Sequence, residues 1–166
     1  REILKGENIK PEIDKLIKGS IDELTDVPAK NNPDFAASFG VVFPVSEKEI
    51  LKIGIEKKDK LRRQLAQKTV DKLYAKKEKE IGSENIRTVE REVYLQVLDT
   101  LWMQHLENMQ HLREGIHWRS VGQRDPLVEY RAESQKLFDS LQATLRNEVL
   151  KAITHVTKAD IAHREF

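Results

Sequence analysis

The sequence predicts an all-α fold: a long antiparallel helical hairpin packed with a smaller helical domain. Three observations lead to it. Apolar residues recur at intervals of three and four along most of the chain, as helices with one buried stripe require. Proline and glycine are scarce, 5 and 7 in 166 residues, so long uninterrupted helices are allowed. Charged residues make up 34% and aromatics 6%, with a mean hydropathy of -0.60, a poor recipe for a thick sandwich or barrel core.

The first helix is expected over 8–27. Asn8 is a fair N-cap, Pro11 falls in the first turn, and Ile9, Ile13, Leu16, Ile17, Ser20, Ile21 and Leu24 form one stripe. Val27-Pro28 ends it, because the residue before proline is pushed out of the α region. Residues 28–46 carry Pro28, Asn31, Asn32, Pro33, Gly40 and Pro44, and are read as a loop that tucks Phe35, Phe39 and Phe43 under its neighbours, with at most a short strand at 40–43. Ser46 and Glu49 fit a capping box opening a short helix, 47–53, that stops at Gly54. A charged helix over 56–80 follows, with Leu61, Leu65, Ala66, Val70 or Thr69, and Leu73 as its stripe, Tyr74 as a further candidate, and its lysines outward. Ile81-Gly82-Ser83 is a joint.

Two long arms complete the chain. In the first, about 84–116, Val93, Val97, Leu98, Leu101, Trp102, His105, Met109, Leu112 and Ile116 repeat at helical spacing. In the second, about 126–154, Tyr130, Leu137, Phe138, Leu141, Leu145, Val149 and Ile153 do the same. Asp125 and Pro126 open the second arm as cap and first residue, and Glu129 adds a favourable charge near that N-terminus. The connection 117–125 is short, so the arms should be antiparallel neighbours. A hairpin of two thin stripes is expected to lean on something else, either the first 80 residues or a helix outside the chain. Residues 155–166 lose the pattern and are expected to be a frayed or linker end. The start at Arg1 rather than Met is read as the cut end of a fragment.

Several chemistries are excluded. Without cysteine there is no disulfide, thiolate metal site or cysteine nucleophile. Neither phosphate-binding glycine motif occurs, so ATP binding within the chain is not expected. His105, His111 and His117 stand six residues apart, which turns successive side chains about 240° from one another and defeats a shared metal on one helix face. No apolar run approaches the roughly 18–20 residues that span a bilayer, and no signal peptide opens the chain. The net charge of +1 gives no global field, but 56–80 holds ten basic and five acidic groups. That helix could meet phosphate, anionic lipid or an acidic partner, or simply be solvated. With Tyr74 its one aromatic it offers nothing for base stacking, so nucleic acid is not expected. At the hairpin turn, Trp118 beside Arg119 and Arg124 reads either as a binding residue or as an apolar cap folded over the turn.

Residues 91–131 closely resemble the C-terminal part of the SecA family of bacterial preprotein-translocase motors. The family carries LD-x-LW-x-x-HL, then M-x-x-LR-x-GI, a tip, and Q-[KR]-DP-x-x-EY. Those positions are filled here, without gaps, by Leu98, Asp99, Leu101, Trp102, His105, Leu106, Met109, Leu112, Arg113, Gly115, Ile116, Gln123, Arg124, Asp125, Pro126, Glu129 and Tyr130. The resemblance is good over about 89–153 and weaker over 1–24; residues 25–85 fit in position and helical character alone. It implies a helical wing domain over 1–83, including the end of a preceding scaffold helix at 1–7. It also implies a two-helix finger of the helical scaffold over 84–154 and a linker over 155–166.

The tip of such a finger, here Trp118, Arg119, Ser120, Val121, Gly122, Gln123, Arg124 and Asp125, would sit at the cytoplasmic mouth of the SecY channel and contact the unfolded preprotein. Family tips usually place a tyrosine where this chain has Val121. ATP and Mg would belong to upstream motor domains, with no cofactor and no catalytic or metal site in this chain. Implied partners are the SecY complex, preprotein, the other motor domains and an anionic membrane surface. The implied location is the cytoplasmic face of the plasma membrane, peripherally bound. A competing expectation is an autonomous helical scaffold or regulatory protein that self-associates through its exposed stripe.

Overall fold

The computed structural model describes residues 8–26, 34–119 and 125–162, the side chains of His117 and Arg119 excepted. Seven helices account for these residues: α1 (Lys10–Thr25), α2 (Phe35–Val42), α3 (Glu47–Ile55), α4 (Asp59–Ile81), α5 (Ser83–Arg119), α6 (Pro126–His155) and α7 (Lys158–Ala162). No strand occurs among the described residues, as an all-α fold requires. None of these helices is long and apolar enough to cross a membrane. Two compact units emerge. One comprises the described residues through Tyr94 and from Arg146 onward; the other is Leu95–Leu145.

In the first unit, α1 buries Ile13, Ile17, Ser20 and Ile21, the expected stripe. Asn8 Oδ1 accepts from the Lys10 amide at 2.9 Å, although the backbone begins the helix after Ile9 rather than after Asn8. Within the segment read as a loop, residues 35–42 instead form helix α2, and 28–33 lie outside the described residues. Phe35, Phe39 and Phe43 fall four apart on one side of it, are buried, and stack with centroids 5.8 and 5.3 Å apart. Pro44 follows the last turn rather than interrupting it, and Gly40 is tolerated inside because tertiary burial outweighs its propensity cost of about 1 kcal/mol. Thr154 Oγ1 lies 2.8 Å from Val42 O and 2.8 Å from Leu150 O, so a hydroxyl on α6 serves a carbonyl at the end of α2.

The capping box forms as expected: Ser46 Oγ accepts from the Glu49 amide, and Glu49 Oε2 accepts from the Ser46 amide at 3.2 Å. Gly54 does not stop α3, which runs one residue further. On α4 the buried row is Arg62, Ala66, Val70 and Tyr74: the last three belong to the expected stripe, and Arg62 takes the inward place expected of Leu61. Leu61 and Leu65 are left 42% and 39% exposed. Gly82 makes the joint to α5 with φ of 96°, a left-handed value that a side chain would resist. Residues 158–162, read as a frayed end, form α7. Thr157 Oγ1 and the Thr157 amide both donate to Asp160 Oδ2 at 2.7 Å, which holds its first turn.

Within Leu95–Leu145, two antiparallel helical segments share a seam. Leu101 and His105 of α5 line one groove with Leu137 and Leu141 of α6, and the His105 and Phe138 rings lie 6.3 Å apart. The seam is thin: Val97, Leu98, Leu101, His105, Met109 and Leu112 are all half-buried, and among the described residues of these segments Leu145 is the one buried apolar residue. Trp102 departs from its expected core position and is 45% exposed. It follows Leu101 by one residue, a turn of about 100°, so Leu101 takes the seam and the indole lies beside the His105 ring at 5.3 Å.

Candidate functional site

The hairpin end is built from the last turn of α5 and the first turn of α6. Asp125 Oδ1 accepts from the Leu127 amide at 2.9 Å, and Asp125 O accepts from the Glu129 amide at 3.2 Å, so Asp125 begins the second arm as its sequence suggests. Pro126 occupies the first helical position, where a missing N–H costs nothing. Trp118 is 83% exposed. Leu127 and Val128 are exposed as well, so this end is less polar than the charges of Arg119 and Arg124 suggest. Arg119 is the last residue of α5. Ser120, Val121, Gly122, Gln123 and Arg124 lie outside the described residues.

Of the expected tip, the structure therefore describes the side chains of Trp118 and Asp125. Both flank the turn, one as an exposed indole and the other as a helix cap. His105 is half-buried in the seam and His111 is exposed. No cluster of three or more potential metal ligands occurs among the described residues.

Two buried polar clusters escaped the sequence reading. Arg62 is fully buried; its Nε donates to Thr25 O at 2.9 Å, Nη1 to Glu56 O at 3.0 Å and Nη2 to Asp59 Oδ1 at 2.6 Å. One guanidinium thus closes the end of α1 and the approach to α4. In the second cluster, Tyr74 Oη donates a short hydrogen bond to Glu90 Oε1. Arg87 bridges Glu90 at 3.0 Å and Glu78 at 2.9 Å, and Lys10 Nζ lies 4.7 Å from the centre of the Tyr74 ring. Burial pushes the Glu90 carboxyl above its usual range; the Tyr74 hydrogen bond and the Arg87 charge act in the opposite direction. Burial, reinforced by Glu90, raises the Tyr74 phenol so that it stays a donor. The one available signal for Arg62 was the conflict on α4 between a row through Leu61 and Leu65 and a row through Ala66, Val70 and Tyr74.

Both clusters tie helices together: Arg62 joins the end of α1 to the approach to α4, and Tyr74, Arg87 and Glu90 join α4 to α5. Comparison with known proteins decides the family. A model of the SecA wing and scaffold domain matches residues 1–157. The chain belongs to that family. Relatives named protein translocase subunit SecA include one from Acetivibrio thermocellus, 33% identical over 178 aligned residues and 99% of this chain. Another from Halothermothrix orenii is 34% identical over 172 residues and 100% of the chain, and one from Koribacter versatilis is 36% identical over 160 residues and 91% of it. The chain spans 20% of the length of the first two relatives and 16% of the third. It is similar to one segment of those proteins, the wing and scaffold.

Proposed function

We propose that this chain is the wing-and-scaffold segment of a SecA motor that couples ATP hydrolysis to preprotein movement through the SecY channel. It does no chemistry itself in this reading; ATP and Mg bind elsewhere in the parent protein. Residues 1–83 act as the helical wing and 84–154 as the two-helix finger, whose tip from Trp118 to Asp125 meets channel loops and the moving polypeptide. The complex works at the cytoplasmic face of the plasma membrane, peripherally attached.

The observation that carries the reading is a capped hairpin end bearing an 83% exposed Trp118, in a chain matched from 1 to 157 by the wing and scaffold family. An exposed indole and apolar first-turn side chains offer contact to any extended polypeptide without demanding a sequence. A photo-crosslinker at Val121 of the full-length motor, reconstituted with SecY and a stalled preprotein, is expected to capture one or both. Crosslinks confined to wing positions would refute the assignment.

A second reading, an autonomous scaffold that self-associates, draws on the exposure of Trp102, Met103, Leu106 and Phe138 along the arms. It requires a dimer in sedimentation that disappears when the hairpin is removed.

A further inference from the structure

The chain leaves α6 in two stages. Through Thr154 it is held firmly: Ile153 is buried, and the Thr154 hydroxyl reaches Val42 O. Beyond His155 the hold is slight. Residues 156 and 157 are not helical, and α7 buries none of its 5 residues. So short a helix does not stand by itself. Two contacts keep it in place: Lys77 Nζ of α4 donates to Val156 O at 2.8 Å, and the half-buried Ile161 lies beside Ile81 and Asn85. Beneath α7 is the joint between α4 and α5. There the Gly82 amide donates to Glu78 O at 2.9 Å, the Ile86 amide to Gly82 O at 3.0 Å, and Asn85 Nδ2 to Ile81 O at 3.2 Å. Ile81 is 7% exposed. A cleft of about 240 Å³, lined by Ile81, Asn85, Lys158, Ile161 and Ala162, stays open between α7 and the joint, so their contact is not close-packed.

We propose that α7 is a detachable strap across the α4–α5 joint: docked, it covers Ile81 and restrains the turn at Gly82; lifted about residues 156 and 157, it frees both. Segments with few buried contacts open at little cost while the rest of a fold stays closed. Here one end of the strap is anchored at Thr154 and the other is held by one hydrogen bond and one apolar side chain. Lifting it leaves the ties from Tyr74 to Glu90 and from Glu78 to Arg87 intact, so α4 and α5 stay joined while their turn is loosened. The device goes beyond the translocation role proposed above and does not depend on the finger tip.

The test exploits the absence of cysteine: a single thiol introduced as Ile81→Cys in the full chain is labelled with a maleimide. Labelling is expected to be slower than that of an exposed control, Ala75→Cys. It should also change little with urea below the unfolding transition, because lifting so few residues exposes little surface. Adding Ile161→Ser should speed labelling of Ile81→Cys about tenfold, as a half-buried side chain is lost. Adding Lys77→Met should speed it about fivefold, as one hydrogen bond is lost. In hydrogen exchange, the Gly82 and Ile86 amides should quicken with either substitution. Labelling that tracks the global unfolding curve would overturn the inference, because the strap would then open only with the whole fold. So would labelling as fast as at Ala75→Cys, which would mean that nothing is covered. Joint amides or labelling rates that neither substitution alters would overturn it as well.

Discussion

Helix α5 passes through two environments. Between Ser83 and Tyr94 it buries Ile86, Val89, Glu90 and Val93. From Leu95 to Arg119 none of its described side chains is fully buried, although the apolar spacing continues unbroken. The repeat that draws a helix in the sequence is thus the same where the helix is wrapped by neighbours and where it meets a single antiparallel partner. Periodicity sets which side faces inward; the number of helices in reach sets how much is removed from water.

That contrast can be broken deliberately. The largest effect is expected from Phe39→Ala, which empties a fully buried ring site and should lower unfolding stability by about 3–5 kcal/mol in urea titration. Met109→Ala, on the half-buried seam, should cost less than about 2 kcal/mol. If the two costs were equal, the difference in burial would not be a difference in stability.

Arg62→Met comes next. It strips the donors from Thr25 O and Glu56 O and should cost about 3 kcal/mol, with loss of protection at the end of α1 in hydrogen exchange.

A smaller effect should follow pH. Glu90 is raised in the folded state by burial, so the native protein holds that proton more tightly than the unfolded chain. This contribution is complete below the ordinary glutamate pKa and is lost as pH rises through the raised one. Unfolding free energy should therefore fall across that window, and Glu90→Gln should flatten the slope. A slope of opposite sign in the parent, or one unchanged by the substitution, would contradict the assigned cause. Smallest of all, Trp118→Ala should leave stability within about 0.5 kcal/mol, since its indole is already in water. Any loss of crosslinking from Val121 in that variant would then be a contact effect.

The boundaries were most legible where a single residue type has a single physical use. Ser46 with Glu49, Gly82 at the joint, and Asp125-Pro126 at the second arm each stand where the sequence places them, because a cap, a left-handed turn and a missing N–H are local matters. Prolines and a glycine around 33–44 misled in the opposite direction. Their local cost is real but small beside three buried phenylalanine rings, and the structure resolves that competition in favour of α2. Of the tip, the sequence left Trp118 with two alternatives, and the structure leaves its indole exposed.

The sequence by itself determined the helical class, the two long arms, their caps and the family, because these depend on spacing along the chain. Tertiary structure alone decided that Arg62 rather than Leu61 faces inward and that Glu90 is buried beside Tyr74. It also decided that Trp102 stands at the edge of the seam and that Lys77 of α4 turns towards the carbonyl of Val156. Each of those outcomes turns on which neighbour lies across from a helix. A rotation of one residue, about 100°, exchanges a buried row for an exposed one without altering the period that announces the helix.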